Sequence, residues 1–202
     1  MRVANAEVYL LDRHLKRLSR SVEFFAFECD VERVRHEILR AVPSNAGVCC
    51  VRLQLVQDGA ISLELQPLPA GYAQQLRLSS VIVNSADAFL YHKTTKRGLY
   101  EKARRDYDDR TDAILVNERG EITETTIMNI AVFREGRWIT PRVSCGLLPG
   151  TMREELLDRG EIEEGVVPAN ALRPGEVIRC FNALRGVCEV VLESRNAKYS
   201  SS

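Results

Sequence analysis

Four short stretches of this chain could carry chemistry. The first is Phe89-Leu90-Tyr91-His92-Lys93-Thr94-Thr95, an apolar run that ends at a lysine and two hydroxyl residues. A lysine where a buried strand opens into a loop loses solvation, its ammonium form is penalised and its pKa falls toward neutrality. Such a lysine attacks carbonyls or acts as a general base. A lysine next to Lys96 and Arg97 is by default a solvated surface group, so its role depends on what the chain supplies elsewhere. The second stretch is Ile122-Thr123-Glu124-Thr125-Thr126. If Glu124 is buried there, its carboxylate needs a cation or N–H partner; otherwise it is an outward residue of a half-exposed strand. The third, Leu148-Pro149-Gly150-Thr151-Met152-Arg153, is a glycine turn opening into a helix. Free N–H groups and the positive dipole end then converge on one point suited to phosphate, although most helices that start this way bind nothing. The fourth, Arg179-Cys180-Phe181-Asn182-Ala183-Leu184-Arg185-Gly186, ends a strand at an amide and an arginine, either anion binders or turn caps.

An activated lysine, a buried carboxylate, a phosphate-binding helix start and extra anion donors together match what pyridoxal 5′-phosphate requires. The lysine forms the Schiff base, and the carboxylate holds a proton on the pyridine nitrogen so that the ring can act as an electron sink. No glycine-rich nucleotide loop competes with this reading.

These residues need elements to hold them. Of the 202 residues 45% are hydrophobic and 28% charged, enough for a sizeable core and too apolar for disorder. Lys plus Arg equals Asp plus Glu at 28 each, so nucleic-acid binding has no global electrostatic support. No apolar run approaches the roughly 20 residues of a membrane span, and no signal-peptide pattern opens the chain. The six cysteines mostly lie in apolar, strand-like runs without metal-binding spacing, and the three histidines are scattered, which predicts reduced cysteines, no metal and a cytoplasmic protein.

Residues 8–11 read as a strand, and Asp12 as the cap of a helix with Leu15, Leu18, Val22 and Phe25 inward and Arg13, Arg17 and Arg20 on the other side. A second helix runs from Asp30, with Val31, Val34, Ile38 and Val42 inward, and stops before Pro43. Strands follow at 48–56, 61–68 and 76–83, then a helical stretch at 96–107. Further strands at 112–117, 121–126, 129–134 and 137–140 are joined by glycine turns. A helix at 151–159, closed by Gly160, precedes strands at 177–182 and 187–193. The texture changes around Asn84-Ser85-Ala86-Asp87. The predicted architecture is a small α/β domain at 1–84, a β-rich domain at 85–195 with a cleft between them, and a frayed tail at 196–202.

The order His14-Leu15-Lys16-Arg17-Leu18, His92-Lys93-Thr94-Thr95, Thr123-Glu124-Thr125 with Asn129, Leu148-Pro149-Gly150-Thr151, and Asn182-Ala183-Leu184-Arg185-Gly186 resembles the class IV aminotransferases, the fold-type IV pyridoxal phosphate enzymes. That family includes branched-chain and D-amino-acid aminotransferases and 4-amino-4-deoxychorismate lyase. The Lys-Thr-Thr sequence and the Asn-Ala-Leu-Arg-Gly end are more similar to the lyase branch.

The resemblance implies an α/β (α+β) two-domain fold with a pseudo-barrel second domain, and a small-molecule substrate. It makes Lys93 the Schiff-base lysine and general base and pairs Glu124 with the pyridinium nitrogen. Arg17 and the N–H groups of Thr151 and Met152 would take the phosphate, Asn182 would add a polar contact, and Asn129 would lie near the ring. Tyr100 and Arg97 are further candidates, following the lysine at a spacing that varies between branches; Arg185 is only a candidate substrate clamp. The implied reaction is conversion of 4-amino-4-deoxychorismate to 4-aminobenzoate and pyruvate in folate biosynthesis, by a homodimer working with aminodeoxychorismate synthase. The alternatives are a branched-chain or D-amino-acid aminotransferase, and a non-catalytic ligand-binding relic. Family members usually carry a Phe-Glu-Thr-like strand segment just before the position of Met1-Arg2-Val3, so a shortened first strand and an unpaired sheet edge are expected.

Overall fold

Apolar residues at helical spacing build the helical layer of the first unit. In the computed structural model, which describes residues 1–193, this unit comprises residues 1–71 with 183–185. Its elements are β1 (Arg2–Ala4), β2 (Glu7–Val8), α1 (Leu11–Phe25), α2 (Val31–Ala41), β3 (Cys49–Leu55) and β4 (Ile61–Gln66). The strands form an antiparallel sheet in the order β2-β1-β3-β4. Leu15, Val34 and Ile38 of the helices pack on Leu53, Ile61 and Leu63 of the sheet. β1 is hydrogen-bonded on both edges, to β2 and β3, so the unpaired edge expected there is not found.

The start of α1 corrects the sequence reading. Leu10 takes the left-handed conformation at φ 54°, which ends the predicted strand after Val8 and starts the helix at Leu11. Asp12 therefore lies inside the first turn and, instead of capping, pairs with Arg35 at 2.7 Å. Asp30 does cap α2, its Oδ1 accepting from the N–H groups of Glu32 and Arg33 at 3.0 and 3.1 Å, a contribution of about 1 kcal/mol.

The second unit runs from residue 72 to 182 and resumes at 186. It contains β5 (Gln75–Val83), α3 (Gly98–Arg104), β6 (Thr111–Asn117), β7 (Ile122–Thr125), β8 (Asn129–Arg134), β9 (Arg137–Pro141), α4 (Thr151–Asp158), β10 (Glu163–Gly165), β11 (Val177–Asn182) and β12 (Gly186–Leu192). The sheet order is β10-β9-β8-β11-β12-β5-β6-β7. β7, at one edge, also lies against β8, so the sheet curls into a pseudo-barrel. Leu76, Ile114, Ile122, Ile130, Ile178 and Leu192, drawn from six of its strands, share one buried cluster. Because β5 pairs with β6 and β12, it belongs to this sheet, and the division falls at 71–72 instead of near 84. The tail at 196–202 lies outside the described residues.

The segment leading to Lys93 is a 3₁₀ turn, Ala88–Leu90, capped by Asp87, where the sequence suggested the end of a strand. Asp87 accepts from the Phe89 N–H at 3.0 Å, and one 3₁₀ turn satisfies these amides without a neighbouring strand. Ser85 anchors the segment: its N–H and hydroxyl donate to Glu118 at 2.8 and 2.6 Å, and its carbonyl accepts from the Tyr91 hydroxyl at 2.6 Å.

Gly146 abuts the same anchor. It sits at φ +95°, and a Cβ there would stand 3.0 Å from both Ser85 Cα and Leu90 Cδ1. Gly146→Ala is expected to destabilise the protein by about 2–3 kcal/mol, combining left-handed strain with overpacking. Urea unfolding of the two proteins measures it.

Candidate active site

The hairpin between β7 and β8 sets the site. Thr125 closes a tight turn, its N–H donating to the Met128 carbonyl at 2.9 Å and its hydroxyl oxygen accepting from the Met128 N–H at 3.0 Å. The turn leaves Glu124 immediately before it and Asn129 immediately after, so two polar side chains meet in a buried place. Glu124 is only 5% exposed, which removes the outward-facing alternative.

Three donors hold the Glu124 carboxylate. Oε1 accepts from the Tyr100 hydroxyl at 2.9 Å and from the Leu148 N–H at 3.3 Å. Oε2 accepts from Asn129 Nδ2 at 3.1 Å. The second N–H of that amide goes to the Leu148 carbonyl at 2.9 Å. A carboxylate offers about four acceptor positions, so one position on Oε2 is left for a further donor. A protonated heteroaromatic nitrogen is such a donor.

Burial pushes Glu124 up to about 7, while the hydrogen bonds from Tyr100 and the Leu148 N–H and the charges of Lys93 and Arg97 pull it back. Burial, followed by the Glu124 charge, pushes the Tyr100 phenol far up, so it stays protonated and donates. The raised carboxyl fixes a sign. Between about pH 4.5 and 7 the native state keeps a proton that the unfolded chain releases, so stability falls through this window and levels off above it. The shift corresponds to about 3 kcal/mol. Denaturation of the cofactor-free protein at pH 5 and pH 8 is expected to show this loss relative to Glu124→Gln, in which the slope is removed.

The other predicted residues take these places. Lys93 lies in the loop after the 3₁₀ turn and is exposed, so the protein's own side chains do not supply the expected desolvation; its charge nevertheless acts on Glu124. Thr151 and Met152 open α4 and are buried, and Gly150 precedes them with no side chain to cap the first-turn N–H groups. The segment leading into that helix joins the carboxylate twice, through the Leu148 N–H directly and through Asn129, which spans Glu124 and the Leu148 carbonyl. Asn182 ends β11 and donates to the Ile127 carbonyl at 3.1 Å, bracing the hairpin turn. Arg17 lies on α1 in the first unit, its Nη2 3.5 Å from His14 Nδ1. Burial and then the Arg17 charge drive His14 down to about 2, so its ring is neutral.

The sequence left Tyr100 a candidate without an assigned contact and gave the Leu148 N–H no part; both donate to Glu124. Tyr100 falls three residues after Arg97, the residue just before α3, and stands in the helix's first turn; a backbone N–H leaves no mark in a sequence. The whole set fits pyridoxal phosphate, with a lysine charge and a carboxylate holding one open acceptor position beside the start of α4.

The model of the amino-transferase class IV family matches residues 1–192. A Schizosaccharomyces pombe protein provisionally named aminodeoxychorismate lyase is 33% identical over 201 residues, 93% of this chain and 86% of the relative. Among solved structures, a Mesorhizobium loti protein provisionally described as an amino-acid aminotransferase superposes with a TM-score of 0.85 at 36% identity, covering 95% of this chain and 96% of that one. The 4-amino-4-deoxychorismate lyase of Pseudomonas aeruginosa shares the fold, with a TM-score of 0.79 at 19% identity over 95% of this chain and 80% of that one. The match along nearly its whole length, with the pseudo-barrel and buried carboxylate already described, makes this chain a member of the class IV aminotransferase family.

Proposed function

We propose that the protein is a pyridoxal phosphate-dependent lyase converting 4-amino-4-deoxychorismate to 4-aminobenzoate and pyruvate. The observation that carries the chemistry is the Glu124 carboxylate, buried, held by three donors and left with one acceptor position. The lyase name of the relative at 33% identity favours this branch.

When bound, the cofactor supplies an aldehyde that captures the substrate amine and a protonated ring that accepts an electron pair. Lys93 would hold the cofactor through Nζ and would serve as the base that takes the proton from the substrate carbon bearing the amine. Glu124 would hold a proton on the ring nitrogen, and Asn129 and Tyr100 keep Glu124 aimed. The start of α4, at Thr151 and Met152, would receive the phosphate end, and Asn182 would add a further polar contact. In the lyase reaction the C–O bond to the enolpyruvyl group breaks, the ring becomes aromatic, and the released enolpyruvate takes up a proton to become pyruvate. We place this reaction in a cytoplasmic homodimer supplied by aminodeoxychorismate synthase.

A branched-chain or D-amino-acid aminotransferase is the second reading, supported by the aminotransferase description of the Mesorhizobium loti structure at 36% identity. Both reactions begin with the same proton removal, so the same residues serve both, and pocket contacts decide between them. Purified protein given cofactor and aminodeoxychorismate should release pyruvate and 4-aminobenzoate in equal amounts. Keto-acid formation from an amino donor without pyruvate from aminodeoxychorismate would instead establish the transaminase.

A further inference from the structure

Arg97 is a cation that the protein leaves incompletely matched. It is half-buried, and its Nη2 donates to the Thr126 carbonyl at 2.6 Å. Its guanidinium carbon lies 4.7 Å from the centroid of the Tyr100 ring, the same tyrosine whose hydroxyl holds Glu124. Among the described residues no carboxylate pairs with it. Glu124, whose ionisation it influences, has its hydrogen bonds from Tyr100, Leu148 and Asn129 instead. A guanidinium has five N–H donors, so four remain after the bond to Thr126. Withdrawing a cation from water is costly unless an anion or several acceptors meet it.

The side chain is also rigidly placed. Thr126, which anchors it, donates its own hydroxyl to the buried Asp112 at 2.5 Å, and Asp112 is further held by the Ala113 N–H at 2.8 Å. The Tyr100 ring beneath the guanidinium and the bond to Thr126 hold the group in place, and its remaining N–H groups suit a carboxylate.

We propose that Arg97 is the residue that binds a carboxylate of the substrate, selecting amines that carry an acid group. The proposal deepens the function proposed above and rests on that reading of the site; the carboxylate-binding property is measurable without turnover. The charges of Lys93 and Arg97 both act on Glu124, and two cations acting on one place suit an anionic substrate. A neutral amine of the same shape would leave those N–H groups of Arg97 unpaired.

The test is calorimetric titration of the protein, with cofactor present, with 4-aminobenzoate and with the neutral 4-aminobenzamide. Arg97→Gln should bind the acid about 10- to 100-fold more weakly, the range expected for losing a hydrogen bond to a charged group, and should leave amide binding unchanged. Arg97→Lys should recover part of the affinity for the acid. Equal losses for acid and amide would mean that Arg97 only supports the fold; undiminished acid binding in Arg97→Gln, or no saturable acid binding by the unaltered protein, would equally overturn the proposal. Absence of pyruvate from aminodeoxychorismate, with the acid–amide discrimination intact, would remove the lyase reading and keep Arg97 as the carboxylate receptor.

Discussion

Lys93→Ala is expected to lower kcat by at least about 10⁴-fold while leaving the fold intact. General-base removal alone accounts for about 10²–10⁴-fold, and the variant also loses the covalent hold on the cofactor. Lys93 is exposed in a loop, so its truncation opens no core cavity, and the melting temperature should hardly move. A second effect follows from its charge, which pulls the Glu124 carboxyl down. Without it Glu124 should titrate at a higher pH than in the unaltered protein. Initial rates, thermal melts and a carboxyl-resolved NMR titration measure the three parts separately. Retention of activity would mean that another amine carries the chemistry.

Gly150→Ala is the second large effect, and it acts through shape. Gly150 has an ordinary extended backbone, φ −70° and ψ 142°, so conformational freedom is not the reason for a glycine. A Cβ at this position would stand 2.0 Å from Asn129 Oδ1, far inside van der Waals contact. Either α4 or the Asn129 side chain must move, and both are tied to Glu124 through Leu148. Overpacking of this kind typically costs about 1–3 kcal/mol, and a buried polar group left unpaired about as much again. A misplacement near 1 Å at a catalytic group lowers rates by about 10²-fold. The variant should therefore fold less stably and turn over about 10²-fold more slowly, with weaker cofactor uptake, as read by denaturation and by the rise of cofactor absorbance. Asn129→Ala made with and without Gly150→Ala tests the cause, because the glycine change should cost less stability where the clashing amide is already gone, while activity stays low in the double variant.

The residues of the site were legible in the sequence to different depths. Glu124 and the Pro149-Gly150 helix start could be singled out because each is unusual in its local context, a carboxylate with apolar flanks and a glycine turn opening a helix; Asn129 came only with the family resemblance. Their mutual contacts were not legible, since they depend on how the Thr125–Met128 turn and α3 pack. Tyr100 illustrates this: its helical position is readable, its bond to Glu124 is a tertiary fact. The strand β10, Glu-Glu-Gly, has no apolar alternation and pairs only because β9 offers a parallel edge. Periodicity likewise could not distinguish the short apolar run before Lys93 from a strand, since a 3₁₀ turn capped by Asp87 serves the same residues. The α2 helix, with its Asp30 cap and Pro43 stop, was readable throughout because every signal was local.

Borohydride reduction of the protein loaded with pyridoxal phosphate, followed by peptide mapping, bears most directly on the central claim. The cofactor mass should be found on Lys93 and should be absent from that peptide in Lys93→Ala. Attachment to a different lysine in the unaltered protein, or no attachment under saturating cofactor, would contradict it.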